Sequence, residues 1–497
     1  MIKKNLLIGK RPHIYINEKK YFDRSHNCIF YGMIIFMNQK KLFPPIYIFL
    51  LLLSSSFISL PAISFIPDAA PLDPNNSALL LEAEDFSESN VLSNEEEPRY
   101  TISLSTMGRG DPLYVWFGHS AIVVDDAQTQ RSVMYDYGIF SFDEGFYRTF
   151  ALGRLWYESW ATDTLMRFRL AKDENRDISL VHLNLSPSVA LNVLNFVNKT
   201  VQPDYSTYLY HHYDENCSTK IRDIINEATD GEFKEWALSV PSPYTIRSLV
   251  SFHTASSPFV HFALNFLQSK SIDTPITLWQ EMFLPEKLES AVMSFNRVQS
   301  DGTTIPLMKE REIIHAAPIG IRPTNDQSSF QANLIMTLFS ILLALLIFIS
   351  KRIMTNTRYT GMYRFFKFSY SILSLIWTLV AAIFSSVLIF MMVMSNHQVT
   401  YFNENILIIS PLSILMLASI IHRSFKRESD SHFFESLNTI SIALIGVLLI
   451  IKGVFNEYMY QANYEIMIIM LPLYVVNSTL FLNFFKKKRR VINNKTW

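Results

Sequence analysis

The chain has 497 residues, more than one domain usually takes, and its 44 Lys and Arg residues are balanced by 44 Asp and Glu residues. The zero net charge and the lack of a basic stripe in the sequence argue against a nucleic-acid partner. Apolar residues make up 49% of the chain and are gathered in blocks, which indicates membrane-spanning segments.

The first hundred residues divide into three parts of different composition. Residues 1–36 are largely polar and show no sustained period, and we interpret them as an over-extended gene start. Met37 is followed by two lysines, an apolar run over 43–60 and a small residue, which is the order of a secretory signal. We therefore predict that residues 37–66 are a signal peptide or, alternatively, a retained N-terminal membrane anchor. The acidic stretch 67–97 is predicted to be a polar linker.

Residues 98–325 have the pattern of a globular α+β domain outside the cytoplasm. Alternating apolar residues predict strands over 100–105, 118–124, 132–138 and 178–185, with a polar hairpin turn between the second and the third. Capping residues followed by helical periodicity predict helices over 186–199 and 216–228. The aromatic stretch 142–160 is predicted to be partly helical, and to form either core or a surface that rests at the bilayer interface.

Residues 331–490 are predicted to form a transmembrane domain of about five helices, each approaching the ~20 residues that cross a bilayer. The predicted helices are Ala332–Ser350, Phe368–Ser395, Asn405–Ile421, Leu437–Val454 and Ile466–Phe485. Basic residues gather on alternate sides of these blocks, which places the C-terminal tail in the cytoplasm and residues 98–325 outside. The middle of each block lacks charged residues, so the bundle does not have the usual mark of a transporter.

One thiol is the most informative residue of the external domain. The chain has two cysteines, and Cys28 lies in the segment interpreted as an over-extended start. Cys217 is therefore predicted to be a lone thiol at the N-terminus of a helix, where the helix dipole lowers a thiol pKa. It is either a nucleophile or an inert buried residue, and a single cysteine in a domain is more often the latter. An imidazole is needed to move the proton, and His119, His211 and His212 are the candidates. No carboxylate spacing completes a metal site around the two adjacent histidines.

Several motifs, in a fixed order, carry a resemblance to a known family. They are Gly118–Ala121, Tyr135–Gly138 with Phe140 and Phe142–Asp143, Phe150–Tyr157, and Tyr208–Asp223. This set resembles the DUF4105 family, also called the Lnb N-terminal periplasmic domain, over roughly residues 98–300. The resemblance implies a circularly permuted papain-like (NlpC/P60-like) thiol enzyme, in which the histidine, here His119, precedes the cysteine, here Cys217.

The resemblance also implies an activity, because Lnb proteins are bacterial lipoprotein N-acyltransferases. An acyl chain would pass through a Cys217 thioester to the N-terminal amine of a diacylglyceryl-cysteine lipoprotein. The donor would be a phospholipid or, alternatively, a neighbouring chain on the lipoprotein itself. His119 would be the base, and Asp136 would orient it, with Tyr135 and Tyr137 as rival choices. No cofactor and no metal are implied, and the expected location is the bacterial inner membrane.

Two other functions remain open at this stage. A periplasmic cysteine peptidase or amidase acting on peptidoglycan or peptides would use the same Cys–His pair, although five helices exceed the tether that such an enzyme needs. A receptor or scaffold that kept the fold would not depend on Cys217 at all.

Overall fold

The computed structural model describes residues 80–81, 98–141, 145–298, 302–318, 327–356, 360–425 and 432–479. The segments predicted as an over-extended start (1–36) and as a signal or anchor (37–66) lie outside the described residues, as does most of the predicted linker. Within that linker, Leu81 is buried and its carbonyl accepts a hydrogen bond from Asn198 Nδ2 at 2.9 Å, so at least this part of 67–97 packs on the domain.

The centre of the external domain is a seven-stranded antiparallel sheet with the strand order β6–β4–β3–β2–β1–β5–β9. Its strands are β1 (Tyr100–Met107), β2 (His119–Asp126), β3 (Arg131–Ile139), β4 (Trp156–Asp163), β5 (Ile178–Leu183), β6 (Thr207–Leu209) and β9 (Met308–His315). A separate two-stranded hairpin is formed by β7 (Asn296–Val298) and β8 (Thr304–Pro306). The predicted hairpin is confirmed as β2 and β3, with Ala121 opposite Asp136.

Nine helices belong to the described part of this domain. They are α1 (Phe146–Ala151), α2 (Thr164–Asp173), α3 (Pro187–Thr200), α4 (Cys217–Ala228), α5 (Glu232–Ser239), α6 (Ile246–Thr254), α7 (Pro258–Leu267), α8 (Leu278–Glu281) and α9 (Pro285–Ser294). The two predicted helices are confirmed as α3 and α4, and their caps are Ser186 and Asn216. In the described part of the stretch 142–160, the short helix α1 agrees with the predicted partial helix. The start of strand β4 in the same stretch was not predicted.

The central strands β1, β2, β3 and β5 are buried on both faces because they alternate two sets of mostly apolar side chains. Ile122 and Tyr135 lie in the larger core with residues of helices α3, α4, α5 and α9. Val123 and Met134 face the opposite side, where they pack with Phe168 and Ala171 of helix α2. Side chains of β2 and β3 that share this second face, including Asp136, are consequently enclosed under α2.

The C-terminal region is a bundle of apolar helices, as predicted. Its helices are α10 (Gln327–Asn356), α11 (Thr360–Val393), α12 (Leu412–Phe425), α13 (His432–Val454) and α14 (Tyr464–Asn477). Among the described residues, three stretches are long and apolar enough to cross a membrane, namely Ser329–Met354, Thr360–Val393 and His432–Val454. A fourth span is possible if the bent pair Gln398–Leu407 and Leu412–His422 is counted as one.

The third predicted span is broken rather than straight. The segment before α12 is a short 3-10 helix over Glu404–Leu407, and the two parts meet at 55°. Pro411 stands at the break, and proline has no N–H to continue a helix and disfavours helical backbone in the residue before it. Helix α14, in the fifth predicted span, ends at Asn477, and the part of that prediction after residue 479 lies outside the described residues.

The loops on one side of the bundle are packed directly against the external domain. Asn403 Nδ2 donates to the carbonyls of Phe266 and Leu267 at 3.0 and 2.9 Å, at the end of α7. Gln461 Nε2 donates to the carbonyl of Gln268 at 3.0 Å. The loops after α11 and α13 therefore lie on the side of the external domain, which agrees with the side that the basic-residue pattern predicts to be outside.

A buried ion pair joins the broken helix to the end of α13. Lys452 Nζ contacts Glu404 Oε2 at 2.5 Å, and it also donates to the carbonyl of Gln461 at 2.7 Å. Both charged side chains are almost fully buried. Lys452 falls near the end of the fourth predicted span. Through Glu404 and Gln461 it holds together the two loops that contact the external domain.

Candidate active site

The thiol of Cys217 lies at the first residue of α4, where the sequence predicted it. Asn216 is the cap: its side chain accepts from Thr219 N–H at 2.8 Å, while Thr219 Oγ1 accepts from Asn216 N–H at 2.8 Å. Asn216 Nδ2 also donates to the carbonyls of His212 and Phe283, at 2.9 and 2.8 Å. The start of the helix is therefore fixed by four hydrogen bonds of one residue, and the half-buried thiol beside it is held at the positive end of the helix dipole.

His119 is the histidine that the fold brings to this thiol. It opens strand β2, directly after Gly118, whose φ of +77° is a conformation that other residues rarely adopt. A Cβ at position 118 would lie 3.2 Å from the carbonyl of Met107 and 3.3 Å from Cγ of Pro285. The glycine therefore lets the chain turn into β2 between two close neighbours, and this turn delivers the imidazole to the helix start.

Asp136 holds the imidazole from the neighbouring strand. Its Oδ1 lies 2.7 Å from His119 Nε2, and its side chain is fully buried. Since Nε2 is engaged with the carboxylate, Nδ1 is the nitrogen left for the thiol, and Cys217 is close enough to raise the pKa of His119. The arrangement is a thiol–imidazole–carboxylate relay across α4, β2 and β3.

The second oxygen of Asp136 is also bonded, by two residues that sequence reasoning missed. Arg167 Nε of helix α2 donates to Oδ2 at 3.1 Å, and Thr162 Oγ1 of strand β4 donates to it at 3.3 Å. Both donors lie in the segment 156–173, whose strand and helix were not predicted. The alternation of exposed Trp156 and Glu158 with buried Tyr157 and Ser159, followed by the helix cap Asp163, is the signal that would have found this strand–helix unit.

The electrostatics of the three groups favour a thiolate–imidazolium pair. Burial alone would raise the pKa of the Cys217 thiol, but His119, the Ser120 backbone N–H and Arg176 outweigh it and lower that pKa below its ordinary value. Burial alone would lower the pKa of His119, but the charges of Cys217 and Asp136 and their hydrogen bonds raise it. The pKa of Asp136 is held well below its usual range because Arg167 and His119 outweigh its burial.

The rival residues of the sequence analysis have other partners. Tyr135 donates to Asn198 Oδ1 at 2.6 Å, and the Tyr137 hydroxyl lies 2.6 Å from Thr200 Oγ1, so both point into the core beneath α3. His211 Nδ1 accepts from the Asp214 N–H at 3.1 Å within its own loop. His212 stacks on His397, with ring centroids 5.7 Å apart. Within the described residues there is no cluster of three or more His, Cys, Asp or Glu side chains that could hold a metal ion.

Two tyrosines from strand β6 and the loop after it complete the surroundings of the thiol. Tyr208 and Tyr210 are both close enough for a Cys217 thiolate to raise their pKa values, although burial is the larger cause for each. Gly138, with a φ of +80°, makes room for them, because a Cβ there would lie 3.1 Å from the ring of Tyr210 and 3.6 Å from the hydroxyl of Tyr208. The motif Tyr135–Gly138 thus contributes a carboxylate and an open space to the same site.

Comparison with known families adds one finding to this geometry. Residues 96–251 match the model of the Lnb N-terminal periplasmic domain. The match confirms the resemblance inferred from the sequence motifs. It covers less than half of the chain, and the matched part contains His119, Asp136 and Cys217. No curated protein and no solved structure gives a significant match. Of the motifs that carried the resemblance, Phe142–Asp143 lies outside the described residues.

The match to the Lnb periplasmic domain and the apolar helices together fit a membrane protein whose thiol-bearing domain lies outside the cytoplasm. The assignment of the domain as a permuted papain-like fold stays a prediction, as do the catalytic roles of the three residues. What the geometry provides is a polarised thiol at a helix N-terminus, a positioned imidazole and a buried carboxylate.

Proposed function

We propose that this protein is a membrane-bound lipoprotein N-acyltransferase that carries an acyl chain on Cys217. The observation that carries the proposal is the relay of Cys217, His119 and Asp136 in a domain that matches the Lnb periplasmic family and packs on apolar helices. The donor is a phospholipid, and the acceptor is the N-terminal amine of a diacylglyceryl-cysteine lipoprotein.

In the first step Cys217 Sγ attacks an ester carbonyl carbon of the phospholipid, and its proton rests on His119. A carbon–sulfur bond forms and the ester carbon–oxygen bond breaks. The leaving oxygen takes the proton from His119 and departs as a lysophospholipid. The developing oxyanion needs a donor, and the backbone N–H of Cys217 at the start of α4 is the proposed one.

In the second step the lipoprotein amine attacks the thioester carbonyl, and His119 accepts a proton from the amine. A carbon–nitrogen bond forms, the carbon–sulfur bond breaks, and the sulfur leaves as the thiolate from which the cycle started. The product is an N-acylated lipoprotein. Asp136 keeps the imidazole oriented in both steps, and its charge stabilises the imidazolium that forms within each of them.

The packing of the domain on the bundle supports lipid substrates. Asn396 N–H donates to the Leu152 carbonyl at 2.9 Å, and His397 Nε2 lies 2.7 Å from the Phe150 carbonyl. The loop after α11 therefore contacts the end of α1, and the His397 ring stacks on that of His212. A thioester also hydrolyses unless water is kept out, and a site close to the bilayer surface limits the access of water.

The test is lipoprotein acylation in a bacterium depleted of its own N-acyltransferase. The full-length protein is expressed as wild type, as Cys217→Ala and as Cys217→Ser, and the N-terminal peptide of a lipoprotein is measured by mass spectrometry. We expect an N-linked acyl group with the wild type and a free amine with both variants, at equal protein levels in the membrane.

The matched control is His211→Gln, which changes a histidine of the same loop that is bonded to Asp214 and not to the thiol. It should leave the N-acyl group in place. A free amine with the wild type, together with altered muropeptides or a cleaved peptide, would replace the proposal with the peptidase function. Isotope-labelled phospholipid distinguishes the two donors, since label enters the lipoprotein amide only if a phospholipid supplies the chain.

A further inference from the structure

A continuous aromatic surface connects the membrane helices with the catalytic thiol. We name it the aromatic track and define it by Phe146, Phe150, His397, His212, Tyr210 and Tyr157. The ring centroids of its neighbours are 4.6 to 5.8 Å apart from Phe146 through Phe150, His397, His212 and Tyr210 to Tyr157. Rings at such distances pack against one another. Tyr157 and His397 are buried, at 7% and 9% exposed, whereas Phe150 is exposed and Phe146, His212 and Tyr210 are half-buried, so these four rings form the open side of the track.

One end of the track lies at the outer end of a membrane helix. His397 belongs to the loop that follows α11, and its ring lies 5.8 Å from that of Phe150. Just before this loop, Val393 and Met394 are 73% and 63% exposed. Apolar side chains at the end of a membrane-spanning helix face lipid, so the track begins where acyl chains are available.

The other end of the track lies at the thiol. The carbonyl of His212 accepts from Asn216, the residue that precedes Cys217. Burial and, after it, a thiolate charge on Cys217 both raise the pKa of Tyr210, which places that ring in the immediate surroundings of the sulfur. A chain lying along the track from His397 to Tyr210 would therefore bring its ester end to the nucleophile.

Helix α1 has a composition that its fold does not explain. None of its six residues is buried, and Tyr147 and Phe150 are 68% and 40% exposed. The exposed area of Tyr147 and Phe150 contributes nothing to folding, since it is not removed from water. Those rings are accounted for if a second apolar body covers them.

We infer that the aromatic track is the binding site of the acyl chain of a glycerophospholipid, which leaves the bilayer beside His397 and runs along Phe150 and His212 to the thiol. The inference rests on the proposed function for the identity of the chemistry that follows, but the binding site exists independently of any transfer. The occupant is a single saturated or unsaturated hydrocarbon chain, because the track is lined by rings and lacks a charged side chain among its six members.

The experiment is photocrosslinking in nanodiscs. Full-length protein, as Cys217→Ala to prevent turnover, is placed in nanodiscs that contain a phosphatidylethanolamine with a diazirine in the middle of one acyl chain. After irradiation the labelled residues are mapped by mass spectrometry. We expect label on Phe150 and on the segment Tyr210–His212, in addition to the membrane helices.

The position of the label decides between a track and a surface that merely rests on the bilayer. A resting surface would be labelled on Tyr147 and Phe150 but not on Tyr210–His212, and this result would overturn the inference. Label confined to the membrane helices would also overturn it. If wild-type protein transfers no acyl chain while the segment Tyr210–His212 is labelled, the proposed function fails and the track stands.

A kinetic measurement uses a variant that keeps the fold testable. Each buried methylene group contributes about fourfold to binding, so the rate of Cys217 thioester formation per donor concentration should rise steeply with chain length in the wild type. Phe150→Ser should flatten this rise, so that the rate falls by a larger factor for long-chain donors than for short-chain donors. Phe196→Ser is the matched control, since Phe196 is a similarly exposed ring (49%) on α3, outside the track. An equal slope in Phe150→Ser and wild type would contradict the site.

Discussion

The charge of Asp136 is the feature of the site whose removal gives the sharpest result. In the wild type His119 Nε2 lies 2.7 Å from Asp136 Oδ1. In Asp136→Asn the amide oxygen can still accept this hydrogen bond, but the buried negative charge is gone. A hydrogen bond to a charged group is worth about 1.5–3 kcal/mol, and one pKa unit corresponds to about 1.4 kcal/mol. The imidazolium form of His119 should therefore lose stability equivalent to one or two pKa units.

The two pKa values move in opposite directions in this variant. In the wild type the pKa of Cys217 is lowered and that of His119 is raised, which favours the thiolate–imidazolium pair. Acid removes this pair by protonating the thiolate, and base removes it by deprotonating the imidazolium. Without the carboxylate the pKa of His119 falls and that of Cys217 rises, so the pH at which alkylation falls off should shift upward by about one to two units.

The assay is the rate of iodoacetamide alkylation from pH 5 to pH 9, measured on the peptide that carries Cys217 because Cys28 is a second thiol in the chain. Asp126→Asn is the matched control, since Asp126 is another buried carboxylate of the same hairpin, paired with Arg99 at 3.3 Å and not with the thiol. If Asp136→Asn is folded, as judged by its thermal midpoint, and has the alkylation profile of the wild type, the relay described here does not control the thiol.

Two further predictions concern the packing of the domain on the bundle. Gly153→Ala should lower the thermal midpoint in detergent by more than Gly145→Ala does. Both glycines have a positive φ, so the backbone strain is similar. A Cβ at 153, however, would lie 2.8 Å from the His397 backbone N, whereas one at 145 meets nothing within 4 Å. Equal midpoints would mean that the loop after α11 adjusts at no cost. Lys452→Met should destabilise the protein by about 3–5 kcal/mol in chemical unfolding, because it leaves Glu404 buried and unpaired, and adding Glu404→Gln should restore much of the loss. A single variant as stable as the double variant would contradict this.

The elements that the sequence predicted are those with a strong local signal. Helix α3 was found because Ser186 with Pro187 is a helix start that can be read from two residues, and helix α4 because Ile221, Ile224 and Ile225 recur at helical spacing. The hairpin of β2 and β3 was found because two alternating runs flank a polar turn. Cys217 and His119 could be named as candidates for the same reason: each stands at the start of a predicted element.

The parts that were missed depend on contacts between distant segments. Arg167 and Thr162 reach Asp136 only because β4 pairs with β3 and α2 returns over the sheet, and neither side chain has a local pattern that marks it. Asp136 was preferred to Tyr135 and Tyr137 because of the family resemblance, since no local pattern separates the three residues. Neighbouring positions on one strand point to opposite faces, and only the register of the sheet tells which face holds the histidine. The break at Pro411 was visible in the sequence, but hydropathy averaged over a span concealed it.

The way the domain is attached bears on which substrate the thiol can reach. Asn403, Asn405 and Gln461 are at most 1% exposed, and each donates a hydrogen bond to a backbone carbonyl in the segment from Asn265 to Gln268. A buried amide that loses its partner costs about 1–3 kcal/mol, so separating the two regions would carry that cost at several positions together.

A domain on a flexible tether would have no use for such an interface. The contacts instead keep Cys217 at one height above the membrane helices, which suits a substrate held in the bilayer better than a peptide that diffuses to the site. This is the physical reason to prefer a lipid donor over the peptidase function, and it predicts that variants of these three amides impair acyl transfer from long-chain phospholipid more than they impair alkylation of the thiol.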